Sequence, residues 1–212
     1  MLPKIGSDVS LSEKAYLVIK NAILNNKLKP KEILSEEALA AELGISRTPL
    51  RSALKKLSFE GLVVINPGRN AMVADLSFED AKKVFTVRIA LEPLAAKAAA
   101  TSIKPEELMD LQEILESQEE AIKMNDYELF LQKDYEFHTA VGKYSDNDLL
   151  GNFMQTINVH VHRFLILSGT LKINAQEALR EHKEVLAAIK NGDGDTAEKM
   201  MKQHVKNVSG RL

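Results

Sequence analysis

The sequence predicts a mainly α-helical protein, with an N-terminal winged helix-turn-helix over residues 1–75 and an all-α bundle of about six helices over residues 76–212. Three observations carry that prediction. Charge is divided along the chain: residues 1–75 hold 11 basic and 8 acidic side chains, a net of +3, whereas residues 76–212 hold 17 and 22, a net of −5. Two cappable helical segments separated by a glycine turn are followed at once by a β-hairpin pattern. Beyond residue 76 there is no strand-like alternation, only helical spacing of apolar residues.

Composition sets the outer bounds. A chain of 212 residues is long enough for one or two domains with a real core. With 45% hydrophobic and 27% charged residues it is a folding chain and not a disordered one. The absence of cysteine removes disulfides, cysteine nucleophiles, iron–sulfur clusters and thiolate zinc sites. No apolar run approaches the ~20 residues that cross a bilayer, and Met1–Ser10 lacks the apolar core of a signal peptide. The expectation is a soluble, cytoplasmic protein with no membrane partner.

The first helix is expected over Glu13–Asn25, with Ala15, Val18, Ile19, Ala22 and Ile23 as its buried stripe. Leu28-Lys29-Pro30-Lys31 ends it. Ser35 is a good N-cap for a short helix to about Leu43, and Glu36 and Glu37 suit its positive end. Gly44 supplies the turn and Ser46 is expected to cap a third helix. Pro49 falls in that helix's first turn, where its missing amide has no intrahelical acceptor to lose. Leu50, Ala53, Leu54 and Leu57 point inward, while Arg47, Arg51 and Lys55, at i, i+4 and i+8, share the outer face. A basic second helix of this kind lies in the DNA major groove. Leu62–Ile65 and Ala71–Ala74 then read as the two strands of a wing around Asn66-Pro67-Gly68, with Arg69 at the tip in reach of a phosphate or the minor groove. The alternative, a basic face that only solubilises the helix, accounts for neither the turn nor the hairpin.

Ser77 is the expected N-cap of the second half, whose helices fall near 78–101, 105–124, 126–143, 147–170, 174–191 and 194–209. Pro93 should kink the first of them. Phe130, Phe137, Phe153, Met154 and Phe164 are expected in the core. No dinucleotide-binding glycine motif or phosphate-binding loop is present. Asp134 and His138, spaced i, i+4, share one helix face, and His182 and His204 lie on the last two helices. One carboxylate and three imidazoles suit Zn²⁺, Ni²⁺ or a similar divalent transition metal, not Ca²⁺ or Mg²⁺. An ion pair or hydrogen-bonded core histidines remain the alternatives. Arg88 lies mid-helix among apolar residues, where a buried charge needs a partner. That partner is either a ligand or a glutamate, such as Glu92, expected on a different face, or one on another helix. His160 and His162 point about 200° apart on a helix and cannot chelate together. Their roles and that of Arg163 stay open.

The run Leu34–Leu54, with Ser46-Arg47-Thr48-Pro49-Leu50-Arg51 at its centre, resembles the winged helix of GntR-type bacterial regulators. The resemblance implies DNA contacts by Ser46, Arg47, Thr48, Arg51 and Gly68, with Arg69 beside them. Ser52 departs from the usual glutamate, and Asn70 stands where a wing glycine is common. Arg88–Ala96, Asp134–His138, Asn147–Leu150, Glu181-His182 and His204 resemble the FCD-type ligand domain of the FadR-like branch. This second resemblance implies that Asp134, His138, His182 and His204 hold a metal and that Arg88 faces an effector cavity. A guanidinium there suits a small carboxylate metabolite. The expected protein is therefore no enzyme but a homodimeric, ligand-responsive transcription regulator on a palindromic double-stranded DNA operator. A metal-dependent enzyme with an appended DNA-binding domain, and a metal sensor, are the alternatives.

Overall fold

The computed structural model describes residues 9–66 and 70–211, apart from the side chain of Leu171. The chain divides into two compact units between Leu76 and Ser77.

The first unit runs α1 (Leu11–Leu24), β1 (Ile33–Leu34), α2 (Glu36–Leu43), α3 (Arg47–Phe59), β2 (Val63–Val64) and β3 (Ala71–Val73). α1 buries Ala15, Tyr16, Ile19, Lys20, Ile23 and Leu24. Val18, expected in that stripe, is 53% exposed. The buried face is rotated because a polar cluster occupies its edge. The Tyr16 hydroxyl donates to Glu60 Oε1 at 2.5 Å, and Lys20 Nζ donates to the Tyr16 hydroxyl and to Glu60 Oε2, both at 2.8 Å. These bonds tie α1 to the end of α3, where Leu50, Ala53, Leu54 and Leu57 form the inward stripe as expected.

The small sheet has strand order β1-β3-β2, antiparallel throughout, pairing Ile33 with Met72 and Val63 with Val73. β1 has no counterpart in the sequence reading. Two residues beside a proline break carry no strand pattern, and the strand exists because β3 supplies its partner. The wing tip with Gly68 and Arg69 lies outside the described residues.

The second unit is a bundle of α4 (Phe78–Ser102), α5 (Pro105–Lys123), α6 (Tyr127–Lys143), α7 (Asp148–Ser168), α8 (Thr170–Lys190) and α9 (Gly194–Gly210). Ser77 opens it with a capping box: its hydroxyl accepts from the Asp80 amide while Asp80 accepts from the Ser77 amide. α4 continues through Pro93 as one helix. Ala95, Ala96, Ala99 and Ala100 are buried along it, and these short side chains belong to the helix that packs along α9. α8 begins at Thr170, four residues before the expected start. The expected start, Asn174, is instead a kink with φ −114°, its side-chain amide donating to the Thr170 carbonyl at 2.9 Å. Phe130, Phe137, Met154 and Phe164 are core residues, but Phe153 is 55% exposed. It sits next to Met154, and adjacent helical positions point about 100° apart, so both cannot face the core.

The α6–α7 crossing is tight because it is built on Gly142 and Gly151. A Cβ at Gly151 would sit 3.2 Å from the Gly142 carbonyl oxygen, and backbone cannot swing aside as a side chain can. Gly151→Val is therefore expected to lower the stability of the helical unit by about 1–3 kcal/mol, read from the urea midpoint at unchanged slope.

Candidate metal centre and nucleic-acid interface

Five of the six bundle helices meet at one buried cluster. α6 presents Asp134 and His138 one turn apart, α8 presents His182 and α9 presents His204. All four are buried. The Nε2 atoms of His182 and His204 are 3.2 Å apart, and those of His204 and His138 are 3.3 Å apart. Asp134 Oδ1 lies 3.7 Å from His182 Nε2 and 4.0 Å from His138 Nε2. The four positions picked from the sequence are thus brought together.

The opposite ring nitrogens decide what this convergence means. His182 Nδ1 donates to Gln118 Oε1 on α5 at 2.9 Å, and His204 Nδ1 donates to the buried Glu181 Oε2 at 2.7 Å. An amide oxygen and a carboxylate can only accept, so both Nδ1 atoms carry the proton and both Nε2 atoms are bare lone pairs. His138 Nδ1 lies 2.9 Å from Glu92 Oε2, in ion-pair range although not aligned as a hydrogen bond. The Nε2 lone pairs of His182 and His204, facing one another at 3.2 Å, repel unless a cation lies between them. Nitrogens about 2.0–2.1 Å from a shared ion are separated by roughly 3.0–3.4 Å, so the donor set fits a divalent transition metal.

Electrostatics agree. Burial pushes all three histidines well below their ordinary value, assisted by the Arg88 charge at each and by mutual repulsion of the rings at His182 and His204. They are neutral and ready to ligate. Burial drives the Asp134 carboxyl up to about 7, with Arg88 pulling it down and Glu92 pushing it up.

Arg88 is 1% exposed, and its Nε donates to Glu92 Oε1 at 2.5 Å. Glu92 is therefore on the same face as Arg88, not on a different one: a separation of four residues is about one helical turn. One Glu92 oxygen serves Arg88 and the other faces His138. Arg88 Nη1 is buried without a hydrogen-bond partner, as is Asn158 Nδ2 on α7. Glu181 also accepts from Asn207 Nδ2 and Arg211 Nη2, which anchors it. Gln118 had no place in the sequence reading, Glu181 entered it only beside His182 in the family motif, and Glu92 only as one possible partner of Arg88, on the wrong face.

His162 and Arg163 are buried on α7, while His160 is half-buried. His162 packs against the Tyr135 ring, at a centroid distance of 5.3 Å.

On the first unit, Ser46, Arg47, Thr48 and Arg51 are all exposed at the start of α3. Ser46 has N-cap backbone angles but its side chain makes no cap bond. The expected cap fails for a simple reason. The third helical residue, whose amide would donate, is Pro49, so the hydroxyl is left facing outward. Arg47 Nη2 lies 3.2 Å from Glu37 Oε2, and Arg51 Nε donates to Glu36 Oε2 at 2.7 Å.

Residues 11–73 match the family of bacterial regulatory proteins designated gntR, and residues 83–207 match the FCD domain. The HTH-type transcriptional regulator YdhC of Bacillus subtilis is 31% identical, over 90% of this chain and 84% of its own length. The transcriptional repressor RspR of Escherichia coli is 27% identical over 94% of this chain and 87% of its own. Among solved structures, E. coli McbR/YncC has the same fold, with a TM-score of 0.82 at 24% identity, covering 96% of this chain and 98% of that one.

Burial pushes the His162 ring down to about 4, against a backbone hydrogen bond at Leu131 that raises it. The neutral ring's contribution to stability is complete above about pH 6.5 and is lost as pH falls toward 4, up to roughly 3 kcal/mol. The stability difference between wild type and His162→Gln, from urea titrations at pH 7.5 and about 4.5, is expected to shrink at the lower pH. A pH-independent difference would show that the ring does not titrate as its burial dictates.

Proposed function

The chain belongs to the GntR family of bacterial DNA-binding transcription regulators and carries an FCD ligand-binding domain, and from that premise we propose that a divalent metal and a small carboxylate together control its hold on DNA. The observation that carries this reading is the convergence of three imidazole nitrogens, two with the opposite nitrogen committed as a donor, inside a buried helical core. His138, His182 and His204 hold the ion, with Asp134 as the charged fourth ligand. A bound divalent ion supplies positive charge and coordination positions for an oxygen donor. Arg88 is the second anchor, because its unpartnered Nη1 is free to meet a carboxylate. Zn²⁺ and Ni²⁺ are the ions of choice for this nitrogen-rich set.

The exposed start of α3 supports base reading by Arg47, Thr48 and Arg51, with the uncapped Ser46 hydroxyl at a phosphate. Gly68 and Arg69 are assigned to the wing tip's DNA contacts. A homodimer places two such helices about one DNA turn apart on a palindrome. The exposed apolar stripe of Val87, Ala90 and Leu94 on α4 is what a second copy would cover. Effector binding switches transcription only through a difference in affinity for the two dimer geometries.

Two measurements check this. Arg47→Ala and Arg51→Ala should each weaken binding to a duplex selected by the wild-type protein by about 1–3 kcal/mol, with two chains per duplex by native mass spectrometry. No loss in either variant would remove α3 as the reading helix. Elemental analysis should find close to one divalent transition metal per wild-type chain and little in His182→Ala or His204→Ala. Equal, near-zero contents in all three would end the metal reading. DNA affinity that follows metal occupancy with no organic ligand added would make the ion itself the signal.

A further inference from the structure

The two arginines that face outward at the start of α3 do not stand alone. Each is met by a carboxylate from the first turn of α2: Glu37 beside Arg47 at 3.2 Å, Glu36 beside Arg51 at 2.7 Å. The four side chains line a single surface concavity together with Asn66 and Asn70 from the base of the wing. Both acids suit the positive end of α2, but the N-cap bond there is made by Ser35, which accepts from the Ala38 amide. Glu37 is 82% exposed, so packing does not hold it in place. The face meant for a polyanion thus sets two negative charges against the positive charges of Arg47, Arg51 and Lys55.

We infer that Glu36 and Glu37 are specificity residues of the DNA-reading face, holding Arg51 and Arg47 until a matched base edge replaces them. Exposed ion pairs of this kind are weak in isolation, so they do not prevent binding. Their effect is differential. A phosphate approaching either arginine also approaches its carboxylate, and like charges at close range repel. Random DNA offers only that exchange. A guanine offers two acceptors, O6 and N7, in the plane of the guanidinium, and so replaces the carboxylate with a bidentate partner that carries no full charge. The acids therefore cost non-specific binding more than specific binding, which widens the ratio between them. The inference rests on α3 being the base-reading helix.

The test uses the full chain with Glu37→Gln, Glu36→Gln and the double variant, with Glu42→Gln as a control that removes the same charge from the exposed last turn of α2. Binding is followed by fluorescence anisotropy on a random duplex of about 24 bp and on a duplex selected by the wild-type protein, across a salt series. The double variant is expected to bind the random duplex roughly three- to tenfold tighter at low salt, with a log K against log salt slope steeper by up to about one per released arginine. The selected duplex gains less, so the specificity ratio falls, and Glu37→Gln alone shows part of the effect. Glu42→Gln leaves the ratio at the wild-type value. The inference is overturned by an unchanged affinity and slope on random DNA, by an equal gain on both duplexes, or by a control that matches the double variant. Arg47→Ala and Arg51→Ala are run beside these. If they weaken binding while the glutamate variants do nothing, only this inference fails; if they too have no effect, the base-reading assignment fails and takes it along.

Discussion

The helical unit depends on one constraint: three imidazole nitrogens from helices well separated in sequence point at one another in a buried core. Neutral rings arranged in this way gain nothing from each other, and the surrounding residues make matters stricter. Gln118 and Glu181 pin two of the rings through Nδ1, so the lone pairs cannot turn away. Every helix that touches the cluster is held to a register that preserves it. α6 must present one turn with Asp134 and His138 inward, α8 must bring His182 within reach of α5, and α9 must place His204 between them. The tight Gly142–Gly151 crossing then fixes how α7 packs against α6.

Glu92 links Arg88 to the histidine cluster. Its two carboxylate oxygens serve different masters, Arg88 on its own helix and His138 on α6. Any group that moves Arg88 therefore also changes the charge that faces the His138 ring.

Much of this was legible in the sequence, and the misses are instructive. Helix ends were readable where a chemical signal marked them, as at Ser77, Pro105 and Asn147. That Asp134, His138, His182 and His204 belong together came from the family resemblance, with the i, i+4 spacing of Asp134 and His138 as its only local sign. What could not be read was anything supplied by a distant partner. β1 has no strand pattern of its own and exists through β3. Gln118 is one polar residue among many on α5, and nothing local reveals that it meets His182, 64 positions away. Ser46 is the opposite case, where a local rule was applied without its neighbour: the sequence showed a capping residue and also showed the proline that removes the cap's donor. The rotated buried face of α1 has a similar origin. Tyr16 and Lys20 look like surface residues until Glu60 arrives from the end of α3.

The placement of α9 has a consequence for how the protein is made. Synthesis proceeds from the amino terminus, and the reading head is complete once residue 76 has cleared the ribosome. The bundle is different. α4 stays bare along its alanine-lined face, and the histidine cluster lacks its third imidazole, until α9 emerges more than a hundred residues later. A growing chain therefore carries a finished first unit well before the helical unit can close its core, so the two units complete their folding at different times in synthesis.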